Sequence, residues 1–391
     1  MLRSLYSGIS GLRSHQQMLD VTGNNIANVN TVGFKSSSTV FQDTLSQMTQ
    51  GAGGPQTGIG GTNPAQIGLG VQVAGVSTNF AQGSAQATGK ATDLMISGDG
   101  FFVTRLGNDT VYTRAGAFDF DADGRLVTAD GKIVQGYPAT NGVVNENGAL
   151  SDIVLPLDAA APAVRTTTAG VTGNLPSETA VDTVITRDAT VYDASGAKHT
   201  MSIAYKRTTT GWDVTATDGQ GTQATSSIAF GANGALTSGG TVAVGGITVD
   251  MSQLTGFASL NTASIASQNG HEAGSLQGYS ISKDGTVVGS FSNGASLAIG
   301  RIALATFANP AGLEKTGASG YRATANSGNA SVGAPGSPGV GQLASGTLEM
   351  SNVDLSQEFT NLIVAQRGFQ ANARIITTSD EVLQELTNLK R

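Results

Sequence analysis

The sequence contains no cysteine and few aromatic or charged residues. Aromatic residues make up 5% of the 391 positions and charged residues 13%, whereas glycine occupies 54 positions. The lack of cysteine excludes disulfide bonds and thiolate metal sites. A glycine-rich chain with so few charges is typical of short strands joined by many turns, and its length predicts two or three domains.

Long apolar runs and clusters of basic residues are also missing. No stretch approaches the roughly 20 apolar residues of a membrane-spanning helix. The net charge is -7 and lysine and arginine form no run, so we expect no nucleic-acid partner and no membrane insertion. The N-terminal stretch MLRSLYSGISGLRSHQQ lacks the continuous apolar core of a cleavable secretory signal.

A regular apolar repeat is present near the N-terminus. Its members recur every seven positions, at Leu5, Leu12, Leu19 and Ile26. This spacing places them on one face of an α-helix, so we predict a helix over residues 1–30. Gly33 suits the end of this helix, because a glycine adopts the left-handed conformation that commonly terminates helices.

Asparagines are concentrated near the end of this predicted helix, in the segment DVTGNNIANVNTVGFK. Asparagine is a mediocre helix former, so the cluster needs an explanation. Asn24 and Asn28 lie four residues apart and share a helix face. Either their amides pack at a helix interface and fix its register, or they end the helix and start a turn.

The C-terminal segment repeats the same spacing. Its apolar residues are Leu355, Leu362, Phe369, Ile376 and Leu383, with Phe359 in an alternate position. We predict a second helix over residues 355–391, with Ser351 and Asp354 as a capping box at its start. We call the apolar residues of the two repeats the assembly seam.

Neither helix can bury its apolar stripe on itself, so the two are predicted to pair as an α-helical coiled coil. Burying a large apolar side chain contributes ~1.5–3 kcal/mol. Ordering a residue costs ~1–2 kcal/mol, so a few seam residues do not offset the ordering of about thirty residues per helix. We therefore expect the pair to be marginally stable alone and to be completed by other copies of the chain.

Between the helices the sequence has the pattern of nested β domains. Residues 31–71 and 341–354 are predicted to be glycine-rich linkers or arms. Residues 72–140 and 274–340 are predicted to form one inner β domain. Residues 141–273 are predicted to be an inserted outer β domain, because their apolar residues alternate as in a β-sandwich or barrel.

The most metal-like motif is DFDADGRLVTAD, which runs from Asp119 to Asp130 and resembles a calcium-binding loop. Its last position holds aspartate where the template requires glutamate, and Phe118 and Phe120 alternate with aspartates as in a strand. A β-hairpin is therefore favoured over a calcium site. The three histidines, His15, His199 and His271, accompany no catalytic motif. No enzymatic activity, metal or cofactor is expected.

The terminal segments carry a resemblance to a known family. SGISGLRSHQQMLDVTGNNIANVNTVGFK resembles the N-terminal signature of the bacterial flagellar rod and hook axial proteins, and SNVDLSQEFTNLIVAQRGFQANARIITTSDEVLQELTNLKR resembles their C-terminal signature. ISGDGFFV, YTRAGAFDFDADGRLVTADGKIVQGYPAT and DGTVVGSFSNG resemble the hook members in particular. The residues carried over to the family's N-terminal motif are Asn24, Asn25, Asn28, Gly33 and Phe34.

This resemblance implies a structural subunit that polymerises helically into a flexible tubular universal joint, which passes motor torque from the rod to the filament. It also implies an extracellular location in the hook, attached to the basal body. The implied partners are many copies of the chain, the distal rod protein, the hook cap, the hook–filament junction proteins and the flagellar type III export apparatus. Two alternatives are a distal rod-type axial protein with a large insert and a secreted β-rich adhesin.

Residues 48–68, MTQGAGGPQTGIGGTNPAQIG, form an unusually long connection. If about twenty residues were fully extended, they would reach up to ~60 Å and could touch neighbouring subunits. Such contacts are predicted to stiffen the polymer. The alternative is a glycine-rich surface loop without mechanical effect.

Overall fold

The computed structural model describes residues 2–388 except 56, 59, 141 and 157–160. The ends of the predicted terminal helices and small parts of the predicted insert and arm therefore lie outside the described residues. The chain divides into two compact units. Unit 1 comprises Met1–Leu155, Ser280–Val288 and Ala298–Arg391, and unit 2 comprises Pro156–Tyr279 and Gly289–Leu297.

Two α-helices form the ends of the chain. Helix α1 spans Leu2–Ala27 and helix α2 spans Leu355–Asn388, and the two pack against each other. Almost all other regular structure is β-strand. The predicted fold class, mainly β with paired terminal helices, is confirmed.

Unit 1 contains the strands that follow α1. They are β1 (Ser37–Asp43), β2 (Ser46–Gln50), β3 (Ala65–Gly68), β4 (Val71–Thr78), β5 (Ala85–Ala87), β6 (Leu94–Ser97), β7 (Phe101–Leu106), β8 (Asp109–Thr113), β9 (Phe118–Phe120), β10 (Leu126–Thr128), β11 (Ile133–Thr140), β12 (Val143–Val144) and β13 (Ser151–Asp152).

The strands of unit 2 follow next. They are β14 (Thr168–Asn174), β15 (Val184–Tyr192), β16 (Lys198–Arg207), β17 (Trp212–Thr217), β18 (Gln223–Phe230), β19 (Leu236–Ser238), β20 (Thr241–Val244), β21 (Ile247–Thr255) and β22 (Ser264–Gln268).

The boundary between the units runs through the next three strands, and the chain then returns to unit 1. The three boundary strands are β23 (Leu276–Ile281), β24 (Thr286–Phe291) and β25 (Ser296–Ile302). The strands that follow in unit 1 are β26 (Leu304–Thr306), β27 (Glu314–Gly317), β28 (Gly320–Arg322), β29 (Ser331–Gly333), β30 (Gln342–Ser345) and β31 (Thr347–Glu349), with a 3-10 turn at Pro310–Gly312 before β27.

The segment after α1 folds into an antiparallel β ribbon. Strand β1 pairs with β4, and beyond them β2 pairs with β3. The bridge between Gly53 and Thr62 continues the hairpin toward its tip. Residues 31–71 therefore contain ordered strands that their glycine-rich composition did not indicate.

A sheet in unit 1 places β25, β11, β7, β8, β28 and β27 side by side. Its core includes Leu94, Phe102, Phe118 and Leu126, all almost completely buried. Strands β9 and β10 pair around the aspartate-rich turn, with Phe120 opposite Leu126. This pairing confirms the hairpin interpretation of that motif.

Unit 2 consists of two sheets around one apolar core. One sheet has the order β20–β21–β14–β22 and the other β15–β16–β17–β18–β19. The alternating residues Met201, Ile203 and Tyr205 are fully buried in the shared core together with Trp212. Their period of two reflects a strand with one face in the core and one face outside it.

Candidate assembly interface

The two terminal helices are antiparallel, and glycines lie where they approach most closely. A Cβ atom added at Gly11 would lie 2.7 Å from the Asn372 side chain, and one added at Gly368 would lie 2.5 Å from the ring of His15. A Cβ at Gly8 would lie 3.4 Å from Ile376. As the residue number increases along α1, the number of its contact partner on α2 decreases, as expected for antiparallel helices.

The predicted seam residues divide into two groups in the structure. Most of them are half-buried, namely Leu5, Leu12, Leu19, Ile26, Leu362, Phe369, Ile376 and Leu383. Leu355 and Phe359, at the start of α2, are instead 40% and 52% exposed. A single chain therefore leaves the first turns of the C-terminal stripe uncovered.

Further apolar side chains on both helices remain exposed. Tyr6 and Ile9 lie on α1, and the exposed apolar residues of α2 beyond the seam are Ile363, Val364, Ile375, Val382 and Leu386. An exposed apolar surface of this kind is typical of a site that another protein covers. The helix pair thus offers apolar surface for intermolecular packing along much of α2.

Asn25 provides a buried polar contact between the two helices. Its Nδ2 donates to Oε1 of the buried Glu358 at 2.9 Å and to the carbonyl of Ser37 at 2.7 Å. The Ser37 amide donates to the Oδ1 atom of Asn25 at 3.0 Å. Both ends of a buried amide are therefore satisfied, and this one side chain ties together both helices and β1.

Asn24 and Asn28 have a different role in the structure. The Asn28 Nδ2 donates to the carbonyl and to Oδ1 of Asn24, and the Thr31 hydroxyl donates to Oδ1 of Asn28 at 3.0 Å. The Thr31 amide also donates to the Asn28 carbonyl. These two asparagines form the local network that ends α1, while the neighbouring Asn25 lies in the interface.

The start of α2 is capped by Asp354. Its Oδ1 accepts hydrogen bonds from the amides of Ser356 at 2.8 Å and Gln357 at 3.2 Å. The predicted capping role of Ser351 was wrong. A helix capped by Ser351 would begin at residue 352, but α2 begins at Leu355, and the Ser351 hydroxyl accepts a hydrogen bond from the Val353 amide instead.

Gly33 and Phe34 anchor the segment that leaves α1, which we call the N-terminal strap (residues 32–37). Gly33 has φ +66°, and a Cβ atom there would lie 2.5 Å from the Ala115 amide nitrogen. Only glycine fits this left-handed position without strain. The Phe34 ring lies 5.4 Å from the ammonium of Lys315, which covers its face.

The N-terminal strap meets the segment that leads into α2, which we call the C-terminal strap (residues 349–353). The Gly33 amide donates to the Glu349 carbonyl at 2.8 Å, and the Ser36 amide donates to Oδ1 of Asn352 at 2.8 Å. The Asn352 Nδ2 in turn donates to the carbonyls of Asn79 and Ala81. The two straps are therefore bonded to each other and to the chain that follows β4.

A buried ion cluster lies beneath the two straps. The Lys35 ammonium is 2.6 Å from Oε1 of Glu349, and Nη1 of Arg114 is 3.6 Å from its Oε2. Lys35 also donates to the Ala81 carbonyl, and the Gly83 amide donates to Glu349. Burial lowers the pKa of Lys35 and of Arg114, while the carboxylate of Glu349 opposes both shifts.

Sequence reasoning missed this cluster. Lys35 and Glu349 are 314 residues apart, and single charges carry no periodic signal. The available signal was indirect, since Lys35 and Arg114 fall within segments that carry the family resemblance and Glu349 lies just before a third.

The three histidines contact residues outside this ion cluster. The His15 ring packs 5.8 Å from that of Phe41, His199 lies 3.3 Å from an Asp193 oxygen, and His271 lies 3.0 Å from the amide nitrogen of Asn293. Among the described residues, no three or more acidic or histidine side chains are placed to hold a metal ion. In the same part of the chain, no helix is long and apolar enough to cross a membrane.

Three family models match separate parts of the chain. The model described as "Flagella basal body rod protein" matches residues 5–35, and "Flagellar hook protein FlgE/F/G D1 domain" matches residues 95–172. The model described as "Flagellar basal body rod FlgEFG protein C-terminal" matches residues 344–389.

Curated relatives match over the full length. The chain is 38% identical to the flagellar hook protein FlgE of Borreliella burgdorferi, over 100% of both chains. It is 37% identical to the FlgE of Salmonella typhimurium, over 99% of this chain and 100% of the relative. It is also 37% identical to the flagellar basal-body rod protein FlgG of Bacillus subtilis, over 100% of both.

A solved structure supports the fold. The crystal structure of the Helicobacter pylori flagellar hook protein FlgE2 superposes with a TM-score of 0.50 at 16% sequence identity. The match covers 68% of this chain and 100% of that one.

Proposed function

The chain belongs to the flagellar hook protein family as a structural subunit, and we propose that it polymerises through its paired terminal helices into a flexible tube. This tube transmits motor torque from the rod to the filament. The observation that carries the proposal is the helix pair whose apolar surface remains partly uncovered, including the seam residues Leu355 and Phe359. Fully burying an exposed side chain of this size contributes ~1.5–3 kcal/mol, so covering the exposed part of each contributes a share of that free energy and favours stacking of copies.

The proposed polymer assigns a position to each part of the chain. Residues 1–30 and 355–391 form the inner helical layer. Residues 72–140 and 274–340 form the inner β domain, and residues 141–273 form the outer domain. The division of the chain into two compact units supports a separately folded outer part.

Bending requires some contacts between subunits to hold while others slide. The apolar faces of the helices are the proposed holding contacts. The β surfaces, rich in serine, threonine and glycine, are the proposed sliding contacts, because interfaces without deep apolar anchors exchange at small energetic cost.

The proposed partners beyond further copies are those at the ends of the tube and along the export route. They are the distal rod protein, the hook cap, the hook–filament junction proteins and the flagellar type III export apparatus. Export in an unfolded state to an extracellular position fits a cysteine-free chain and terminal helices that are only marginally stable alone.

The test is polymerisation of the purified chain, followed by electron microscopy of the product. We expect tubular polymers in which the terminal helices line the inside. A chain that stays monomeric at high concentration under varied salt conditions, or that forms only amorphous aggregates, would argue against the proposal.

A second candidate is a distal rod-type axial protein. It is favoured by the full-length match to the Bacillus subtilis rod protein FlgG, which equals the Salmonella typhimurium hook match in identity. Complementation separates the two candidates. Rescue of a host that lacks its hook protein, together with curved polymers, supports the hook role, whereas rescue only of a host that lacks its distal rod protein, together with straight polymers, supports the rod role.

A further inference from the structure

Three charged side chains meet almost without solvent in unit 1. Lys35 and Glu349 have fully buried side chains, and the Arg114 side chain is 3% exposed. Lys35 belongs to the N-terminal strap, Arg114 to the loop between β8 and β9, and Glu349 to the C-terminal strap. Each of the three also lies in a different one of the three family-matching stretches.

Charge balance makes Glu349 the central member of this cluster. A buried charge is costly unless it is paired, and removing one partner of a buried pair is strongly destabilising. Two cations share the Glu349 carboxylate here, and Asp99 acts on Arg114 from beyond salt-bridge distance. Loss of Glu349 would leave Lys35 without a carboxylate partner and Arg114 with only the more distant Asp99, whereas loss of Lys35 would leave the Arg114–Glu349 pair.

We propose that Glu349 is a positioning residue that makes the N-terminal and C-terminal straps dock on the β core of unit 1 in one cooperative step. Without the C-terminal strap, Lys35 would be buried with no carboxylate partner, so the N-terminal strap would undock as well. The inference deepens the proposed function, because it states how the two ends reach the relative placement that assembly requires.

The backbone hydrogen bonds of the straps also make the docking of the N-terminal strap depend on the C-terminal strap. The amides of Gly33 and Ser36 donate to acceptors on Glu349 and Asn352, so they are protected only while the C-terminal strap is in place. The Met350 amide donates to the Ser84 carbonyl and reports on the C-terminal strap itself. Hydrogen exchange at these three amides therefore reads the docking of each strap separately.

The first test is native-state hydrogen exchange of the full-length monomer carrying Glu349→Gln, which retains the size of the side chain and removes its charge. We expect exchange at Gly33, Ser36 and Met350 to accelerate together, by about 100-fold or more. The Leu126 amide, bonded to Ile153 in the β core, should keep its protection. Wild-type protection at Gly33 and Ser36 with loss only at Met350 would overturn the proposal.

The second test uses the charge asymmetry of the cluster. Lys35→Met leaves the Arg114–Glu349 pair intact, so its acceleration should be at least about tenfold smaller than that of Glu349→Gln. An equal or larger effect would show that packing of Lys35, rather than charge balance around Glu349, docks the strap. The matched control is Asp109→Asn in the exposed pair with Arg322, which should change nothing at the straps.

These measurements are made on the monomer, so they remain independent of polymerisation. A wild-type chain that fails to polymerise would count against the proposed function alone. A wild-type chain that polymerises, with straps that exchange independently of each other in Glu349→Gln, would overturn the docking mechanism alone.

Discussion

The Asn25 side chain on α1 donates a hydrogen bond of 2.9 Å to Glu358 on α2, although 333 residues separate the two in sequence. Both side chains are buried, and Asn25 also bonds the backbone of Ser37. A buried carboxylate with a specific donor permits only one axial placement of the helices. This contact therefore fixes a register that apolar seam residues, which tolerate sliding, leave less defined.

Asn25→Ala should weaken assembly, because it leaves Glu358 without this donor. Hydrogen bonds to charged groups contribute about 1.5–3 kcal/mol, which corresponds to a rise in critical concentration of roughly 10- to 100-fold. Sedimentation of polymer at graded protein concentrations measures the effect. The control is Asn24→Ala on the exposed neighbouring position, and a similar loss in both variants would refute the register role.

Leu362→Asp and Leu383→Asp should each abolish polymerisation while both β units stay folded. An unpaired carboxylate at a packed apolar position is costly, whereas among the described residues no helix residue belongs to the apolar cores of the two units. Electron microscopy tests assembly, and circular dichroism tests the sheets. Thr360→Asp places the same charge on an exposed polar position of α2 outside both seven-residue stripes and should assemble normally. Normal tubes from either leucine variant would mean that the seam is misassigned.

In the free monomer, residues 1–30 and 355–391 should be largely disordered. The reason is that the pair leaves much of its apolar surface uncovered until other copies pack against it, and isolated helices are marginal in water. Amide NMR of the soluble monomer should show sharp signals at random-coil shifts for both segments. Dispersed and protected amides across both ends would contradict this expectation.

The helices could be predicted from the sequence because a seven-residue repeat is a local signal, readable without knowledge of the rest of the chain. The buried ion cluster beneath the straps could not be predicted, since Lys35, Arg114 and Glu349 are distant in sequence and single charges have no period. The ribbon was missed for another reason. The strand at Ser46–Gln50 has the sequence SQMTQ, without β-branched or aromatic residues apart from one threonine, so it carries little strand propensity.

Stability should fall at alkaline pH through Tyr321. Burial raises the pKa of its hydroxyl from 10.0 to about 12. The folded state therefore favours the neutral phenol, and its contribution is complete below pH 10 and is lost as the pH rises from about 10 to 12, by up to about 2–3 kcal/mol. Denaturant unfolding at pH 9 and pH 11.5 measures the loss.

Tyr321→Phe should reduce this alkaline loss, because it removes the titrating group and keeps the ring that packs 5.7 Å from Phe101. The control is Tyr6→Phe, since Tyr6 is exposed and should leave the pH profile unchanged. An unaltered profile in Tyr321→Phe would assign the alkaline transition to other groups.

The ribbon tip, residues 48–68, should stiffen the polymer. The segment doubles back as a hairpin, so its reach is about 30 Å instead of the ~60 Å expected for an extended arm. Exposed apolar side chains lie along its strands and their ends, at Leu45, Met48, Ile67 and Leu69. An ordered hairpin with such side chains can form fixed contacts with neighbouring subunits, which would restrict sliding and raise the bending stiffness.

The decisive variant replaces residues 48–66 with Asn-Gly. Gln47 and Ile67 are partners in the β2–β3 register, so a two-residue turn joins them without disturbing the rest of the ribbon. We expect hooks of lower bending stiffness and altered curvature, measured on intact flagella. A second variant, Met48→Ser with Ile67→Ser, keeps the hairpin length and removes two exposed apolar side chains. If apolar contacts with neighbouring subunits stiffen the hook, this variant should lower the bending stiffness as well. If stiffness and curvature are the same in the turn variant as in the wild type, the hairpin has no mechanical role.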